Sequence, residues 1–579
     1  MATDETRAGT AGVADRAISG AVQPLTALTE LVAARRPDSR RLRRLVALLT
    51  GEPLDLAALV QRSALSRRTV EEVLQAAAGD LVRQGAAMRI RPDAVAAYRE
   101  RFGAEQVART EPADPLAGRL AAAAPVVVSM EKLIAAAPGP RADLDHVRAT
   151  PETAVRRALW LDSTYDLAGS VVLCVGDHDL TSLALGQVNR ATTAVVVDLH
   201  EPTLEYIDDH AGRLGLAVRC LFGDLRFGLP GPAVGCADLV FTDPPYTPEG
   251  VELFVARGLQ GLGNHDNGRV VVAFGYSDRH PTLGLQAQAA AHRLSLAYEA
   301  VLPGFNRYDG AQAVGSSSDL YVWRPTPRTW RGLGRAGGEP GAGLYTRGPQ
   351  ALEKSPPDGD AALEAARRLA AEAGLPIRAL VGDRWPPDGG EGAVRLRLAT
   401  LLGGGLPPNV TRGGRFAVLA DLSEDPGPWL LRTLLAANAG LVFALVRNNH
   451  PDLGSAAAQN GLDGLVGAKY RLRFLRGRPD GRHAIVAAEA VDPRSLPRPA
   501  RLAHWLLWRA HGKAGNVWRD GLVHVSTDLP GGPLTKRGAR AAVAAVAEGQ
   551  MLDAPLITLP RHQVARLLAG AAASAAELR

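Results

Sequence analysis

Acidic side chains recur wherever an apolar run ends between residues 171 and 246. Val171-Val172-Leu173-Cys174-Val175 breaks into Gly176-Asp177-His178-Asp179, and Ala194-Val195-Val196-Val197 ends at Asp198-Leu199. Phe222-Gly223 precedes Asp224-Leu225, and the run from Ala237 to Thr242 delivers Asp243-Pro244-Pro245-Tyr246. Carboxylates in such places can accept hydrogen bonds from ribose hydroxyls or an exocyclic amine, or take a proton from an attacking amine. Asp198 follows Gly176 by about twenty residues, the interval at which nucleoside-binding α/β folds set a carboxylate against the ribose. Two prolines after Asp243 forbid both helix and ladder hydrogen bonds, so the chain turns rigidly at a strand's carboxyl end, where open α/β sheets bind ligands.

The elements that must hold these residues alternate strand and helix, an α/β pattern. A helix begins at Leu180-Thr181. Another, Ala154 to Leu161, leads into the first strand, with Thr150 as its N-cap, Pro151 in its first turn and Thr153 available to a ligand. Beyond Tyr246 the pattern predicts a helix from Val251 to Leu262, a strand from Arg269 to Tyr276 and a helix from Gln286 to Leu296. The run Tyr298 to Pro303, a loop from Phe305 to Gln312 and a strand from Ser318 to Trp323 close the domain.

With 579 residues, 46% hydrophobic and 22% charged, the chain is long enough for several domains. The formal charge of +6 hides an asymmetry: Asp143 to Arg324 carries 13 arginines and no lysine against 22 acids, or −9, and the remainder about +15. An acidic core flanked by basic segments suits a cationic small molecule better than a phosphate. No apolar stretch approaches the roughly twenty residues of a membrane span, and Met1 to Gly20 is unlike a secretory signal, which predicts a cytoplasmic chain without membrane contact. Cys174, Cys220 and Cys236 lack metal-like spacing and read as buried apolar residues in a reducing compartment; no metal site is expected.

Upstream, residues 1–39 read as a flexible tail with one amphipathic helix. Residues 40–100 read as a winged helix-turn-helix-like module: Leu42, Leu45, Leu48 and Leu49 share one helical face, Leu54 to Val60 and Ser66 to Leu81 give two more helices, and Ala87 to Ile90 a wing strand. Ser66 is placed to cap the third helix, and Arg62, Arg67 and Arg68 could meet phosphates. Docking or homodimerisation is the favoured use of this module, with nucleic acid as the alternative. Residues 101–140 form a linker with a helix from Val126 to Ala137.

The ordered series Thr150-Pro151-Glu152-Thr153, Gly176-Asp177-His178-Asp179-Leu180-Thr181-Ser182, Val197-Asp198, Asp224-Leu225-Arg226, Asp243-Pro244-Pro245-Tyr246-Thr247 and Gly310-Ala311 with Ser318-Asp319-Leu320-Tyr321 resembles the branched-chain polyamine synthase family, the N4-bis(aminopropyl)spermidine synthases. The resemblance covers about Asp143 to Trp323. It implies a Rossmann-like, class I methyltransferase-type catalytic domain over residues 141–325. That domain would bind decarboxylated S-adenosylmethionine as co-substrate, with no permanently bound cofactor, and pass its aminopropyl group to a polyamine nitrogen, releasing methylthioadenosine. The family's acidic turn reads Gly-Asp-Asp-Asp, whereas here His178 takes the third position.

On this reading the catalytic residues are Asp177, Asp179, Asp243 and Tyr246. Gly176, His178, Asp198, Leu199, Asp224, Leu225, Pro244 and Pro245 hold the nucleoside, with Asp198 on the ribose, Asp224 on the adenine amino group and the two prolines walling the ring. Asp-Pro-Pro-Tyr is also the motif with which amino-methyltransferases acting on nucleic acid hold an exocyclic amine, using intact S-adenosylmethionine. A non-catalytic ligand-sensing regulator is the third class.

After Trp323 the chain continues with a Gly/Pro-rich linker at 326–360, a second, smaller α/β region at 361–500 and a mainly helical region at 501–579. The expected elements there are helices from Ala361 to Ala373 and Trp429 to Asn438, strands from Arg415 to Leu422 and Gly440 to Val446, and an edge pair from Tyr470 to Leu475 and His483 to Ala487. The pattern shows no acid at a strand-end glycine turn in this region, so a structural or substrate-presenting role is expected.

Overall fold

A computed structural model describes residues 23–109, 114–333, 360–385, 392–412, 414–547 and 549–578. Most of the expected tail, and the Gly/Pro-rich linker apart from a helix at Pro327–Leu333, lie outside the described residues. The chain divides into two compact units: Met1–Ala117 with Gly275–Pro281 and Gly304–Ser318, and Gly118–Phe274 with Thr282–Pro303 and Asp319–Arg579.

In the first unit, helices Pro24–Ala34, Ser39–Leu49, Leu56–Ser63 and Arg67–Ala76 precede the antiparallel hairpin of β1 (Leu81–Gln84) and β2 (Ala87–Ile90). Leu28 and Val32 of the first helix share one core with Leu45, Val70, Ile90 and Tyr98, so this part of the expected tail is packed. Ser66 accepts from the Thr69 N–H at the start of its helix. That helix stops at Ala76 instead of reaching Leu81: a 3-10 turn at Ala78–Asp80 breaks it, and Asp80 then receives the Arg91 guanidinium and the Tyr98 hydroxyl. The helix pair that would face DNA is packed within its own unit along one side, while Arg62, Arg67 and Arg68 stay exposed. The Thr69 hydroxyl donates to Asp278 at 2.9 Å, Arg279 pairs with Glu72, Arg67 with Glu71 at 2.8 Å, and Gly315 sits so close that a Cβ there would lie 2.9 Å from Ala64.

The second unit is mixed α/β. Its eight-stranded sheet contains β3 (Arg148–Ala149), β4 (Val171–Val175), β5 (Thr193–Asp198), β6 (Val218–Phe222), β7 (Leu239–Thr242), β8 (Arg269–Phe274), β9 (Ala297–Asp309) and β10 (Ser317–Arg324) in the order β3-β9-β10-β8-β7-β4-β5-β6. The strands β6, β5, β4, β7 and β8 are parallel neighbours, and β10 runs antiparallel to β8. Helices on both faces bury the central strands on both sides, which is why they read as unbroken apolar runs and not as alternation. The chain order reverses between β4 and β7, so Gly176-Asp177 and Asp243 flank the crevice at this switch point. Strand β9 runs to Asp309, through Phe305 to Tyr308 where the sequence pattern predicts a loop; Tyr308 N–H bonds Ser316 O and its hydroxyl meets Ser318 Oγ at 2.8 Å, closing a hairpin.

A six-stranded sheet follows: β11 (Ile377–Val381), β12 (Val394–Leu396), β13 (Ala417–Asp421), β14 (Leu441–Arg447), β15 (Tyr470–Arg476) and β16 (His483–Ala490), in the order β12-β11-β13-β14-β16-β15. β11 and β12 are short strands absent from the sequence expectation. β11 ends at Gly382 (φ +112°) and Asp383, so this region does hold an acid at a strand-end glycine turn. Strand for strand this order repeats β5-β4-β7-β8-β10-β9, with no counterpart of β6 among the described residues. Helices Arg498–Trp508, Ala514–Val525, Lys536–Val546 and Arg561–Ala576 complete the unit. Among the described residues no helix is long and apolar enough to cross a membrane.

Candidate active site

Gly176 ends β4 at φ +72°, a conformation an L side chain adopts only with strain, and a Cβ there would lie 3.3 Å from the Phe254 ring. The turn it opens sends Asp177 back onto its own helix: the carboxylate accepts from Thr181 N–H at 2.8 Å and Ser182 N–H at 3.1 Å, capping Thr181–Val188. Burial pushes this carboxyl up to about 7 in spite of those donors. Leu180, between cap and helix, takes φ +58°, a strain of about 1–2 kcal/mol.

Asp179 accepts from Ala149 N–H and from the Arg157 guanidinium, both at 2.8 Å. Arg157, fully buried, reaches Asp243 with its other nitrogen at 2.6 Å, so one guanidinium holds two carboxylates. Burial acts to raise the Asp179 carboxyl, but His178 and Arg157 outweigh it and hold it below the usual range. His178 donates from Nε2 to Val147 O at 2.8 Å and stacks on His146, ring centroids 4.5 Å apart. Burial alone would lower the His178 imidazole; Asp179 and Asp243 raise it above its ordinary value instead. Burial, with His178 beside it, drives His146 far below its ordinary value, so the stacked pair carries at most one positive charge near neutrality.

At the end of β5, Asp198 accepts from Asp177 N–H at 3.1 Å and His200 N–H at 2.8 Å, one bond per oxygen. At the end of β6, Gly223 has no room for a side chain, since a Cβ would meet Pro230 and Val197 at 2.6 and 2.8 Å. Asp224 beyond it is held by Arg226, through the backbone N–H at 3.0 Å, Nε at 2.8 Å and Nη2, and by the Trp429 indole N–H at 2.9 Å. Burial opposes ionisation there, yet Arg226 and Trp429 bring the carboxyl below the usual range.

These strand ends enclose one cavity. Gly176, His178, Asp198, Leu199, Asp224, Leu225, Asp243 and Pro245 are on its wall, joined by His146 and Arg226. Asp177, Asp179, Pro244 and Tyr246 are not: the first two have turned their carboxylates to the protein, Pro244 is buried, and the Tyr246 ring lies edge-on to Phe274 at 5.2 Å. Thr153 does not face a ligand either; it is buried with its hydroxyl 2.9 Å from that of Thr150. The enclosed space is about 40 Å3, room for a water or so, so a nucleoside enters only if the wall gives way. A larger cavity of about 550 Å3 lies beyond Leu199 and His200, walled also by Glu201, Pro428, Arg561 and His562. No cluster of metal-ligating side chains occurs among the described residues.

Sequence reasoning did not pick out Arg157, His146, His200 or Trp429. Arg157 left one trace, a cation within the otherwise apolar face of a helix that precedes the first strand.

Residues 126–321 match the family model described as the branched-chain polyamine synthase A C-terminal domain. Over this third of its length the chain is similar to the branched-chain polyamine synthase family. An uncharacterized protein of Methanocaldococcus jannaschii is 33% identical over 175 residues, 30% of this chain and 44% of that one. The N(4)-bis(aminopropyl)spermidine synthase of Thermococcus kodakarensis is 36% identical over 126 residues, 22% of this chain and 36% of that enzyme. The chain therefore spans less than half the length of these curated relatives. Among solved structures, the branched-chain polyamine synthase from Thermus thermophilus in complex with N4-aminopropylspermidine and 5′-methylthioadenosine shares 19% identity, covering 55% of this chain and 97% of that one, with a TM-score of 0.38.

Proposed function

We propose that the chain moves the 3-aminopropyl group of decarboxylated S-adenosylmethionine to an amine nitrogen of a polyamine-type acceptor, releasing 5′-methylthioadenosine. What carries this reading is the convergence of Asp198 and Asp243, from the ends of two parallel strands, on one cavity within the segment that matches the polyamine synthase family. We read the eight-stranded sheet as a Rossmann-like, class I methyltransferase-type domain, and helices Ser39–Leu49, Leu56–Ser63 and Arg67–Ala76 with the following hairpin as a winged-helix-like module in a docking role.

In the transfer, the lone pair of a neutral amine forms a bond to the methylene carbon beside the sulfonium. The carbon–sulfur bond breaks, and its electrons leave with a neutral thioether. The amine must lose its proton first. Asp243 is the carboxylate on the cavity wall placed to orient that nitrogen and receive the proton, with Arg157 fixing its direction. Asp198 takes the ribose hydroxyls. Asp177 and Asp179 act as positioning groups: the first fixes the glycine turn, the second holds Arg157. Asp179 and Asp243 share a single guanidinium and Asp198 adds a carboxylate on the same wall, so the site keeps net negative charge, which disfavours the extra carboxylate of intact S-adenosylmethionine. Good positioning does much of the work, because a sulfonium is already a good leaving group.

The nucleic-acid reading loses support because Tyr246 packs on Phe274 away from the cavity wall. Incubating the full chain with spermidine and either sulfonium donor tests the proposal by mass spectrometry. The expected result is methylthioadenosine and an aminopropylated amine from the decarboxylated donor; S-adenosylhomocysteine and a methylated product from the intact donor would overturn it.

A further inference from the structure

The second sheet repeats the order of the first, and the turn after β13 repeats the form of the turn after β7. Asp425-Pro426-Gly427-Pro428-Trp429 opens helix Trp429–Ala436 much as Asp243-Pro244-Pro245-Tyr246 precedes Pro248–Gly261. Its acid is consumed locally: Asp425 accepts from Gly427 N–H at 2.7 Å, Trp429 N–H at 2.9 Å, Leu430 N–H at 2.8 Å and His450 at 3.0 Å. The acid at the end of β13 is consumed too, since Arg384 forks onto Asp421 at 2.7 and 2.8 Å. What the second layer offers outward from this turn is Trp429, whose indole N–H reaches Asp224.

An ionised carboxylate has about four acceptor positions. On Asp224 all four are taken: backbone N–H and Nε of Arg226 on one oxygen, Nη2 of Arg226 and the Trp429 N–H on the other. The Arg226 guanidinium also lies over the Trp429 ring, 4.8 Å from its centre, and Phe227 packs 5.1 Å from the same ring, so the indole is fixed on two sides. Three of the four donors belong to residue 226, two positions along the chain. Only the Trp429 donor comes from a separate layer and can be removed without touching the turn itself.

We propose that Trp429 is a specificity-determining residue of the nucleoside site: its indole N–H holds the acceptor position on Asp224 that the 6-amino group of adenine would need, so the base is held by shape and by apolar walls such as Leu199 and Leu225, and its 6-position goes unread. This rests on the reading of residues 126–321 as a sulfonium-nucleoside domain, and concerns only how that domain treats the base.

Calorimetry on the full chain compares 5′-methylthioadenosine with 5′-methylthioinosine, which carries a 6-oxo group in place of the amine. The parent should bind the two within about threefold of each other. Trp429→Phe keeps a ring against Arg226 and Phe227 and removes the donor, so it should tighten methylthioadenosine about tenfold, the size of one charge-assisted hydrogen bond, and leave methylthioinosine unchanged. Trp429→Leu, which also lacks the donor, should shift discrimination the same way. A parent that already prefers methylthioadenosine thirtyfold or more, or Trp429→Phe and Trp429→Leu proteins that melt like the parent yet leave the ratio unmoved, would overturn the assignment. Failure of the parent to bind either nucleoside would overturn the site reading along with it. Binding does not require turnover, so absence of aminopropyl transfer would count against the proposed reaction and not against Trp429.

Discussion

Replacing Arg157 by methionine removes the one cation between Asp179 and Asp243 while keeping most of the side-chain volume. Asp179 is 3% exposed and Asp243 9%, so water cannot take over the solvation that the guanidinium supplies. Removing one partner of a buried pair costs about 3–5 kcal/mol, because the remaining charge stays buried. Two carboxylates share this guanidinium, which puts the expected cost at the upper end, softened by the Ala149 N–H and by His178, 3.3 Å from Asp179. The pH dependence follows from Asp179. In the parent its carboxyl is held below the usual range, so its contribution to stability is full above the ordinary carboxylate pKa and is lost as pH falls through the lowered folded value. Without Arg157 burial dominates, the folded carboxyl rises above its unfolded value, and the penalty at pH 7–8 shrinks as pH falls toward about 5. Protonation of His178 over the same range works in the same direction. Melting curves of parent and Arg157→Met at pH 5, 6, 7 and 8 should converge toward acid, and Asp179→Asn added to Arg157→Met should recover part of the loss at pH 8. A gap between parent and variant that is the same at every pH, or smaller than about 1 kcal/mol at pH 8, would refute the shared-guanidinium account.

Asp198→Ala should weaken methylthioadenosine binding by about 1.5–3 kcal/mol, measured by calorimetry, if its carboxylate holds the ribose; unchanged affinity removes Asp198 from the site. His178→Gln should cost stability mainly below about pH 6.5. The raised folded value of His178, set against burial by Asp179 and Asp243, contributes stability that is full below the unfolded pKa and lost as pH rises through the folded one. The melting difference should therefore close between pH 6 and 9, and a constant difference would place His178 outside the ion network.

The strand ends were legible because parallel strands buried on both faces leave continuous apolar runs, and Gly176, Gly223 and Pro244-Pro245 mark where those runs must stop. The direction of each carboxylate was not legible. Asp177 and Asp179 stand two residues apart in the same turn, yet one caps its own helix and the other meets Ala149 N–H and Arg157, 30 and 22 positions away. No local pattern encodes such a partner. Asp243 lies 86 positions from Arg157, so the cluster exists only once β4 and β7 are side by side. Strand β12 spans three residues and β11 five, too short to give a clear period, and alternation in Phe305 to Tyr308 resembled a polar loop because the strand there is only partly buried.

The two sheets share an order but differ in what their strand ends do with charge. Asp198 keeps one bond per oxygen and a place on the cavity wall, so its carboxylate can still receive ribose hydroxyls. In the second sheet Asp421, at the end of β13, receives a bidentate guanidinium and lines neither cavity. A buried carboxylate must be paired or be neutralised, and pairing it within the chain removes its capacity to bind a ligand. Asp421 and Asp425 are thus satisfied within the second sheet's own surroundings, and this layer reaches the first through Trp429 on Asp224 and Arg432 on Glu201, with the Arg561 N–H on the same Glu201 at 2.7 Å. Glu201 begins the helix that follows Asp198, and Asp224 ends the next strand. These contacts fall on the β5 and β6 side of the first sheet, so under the proposed function the second layer is placed to tune how the nucleoside is held, and Arg157, Asp179 and Asp243 on the β4 and β7 side are left to the transfer.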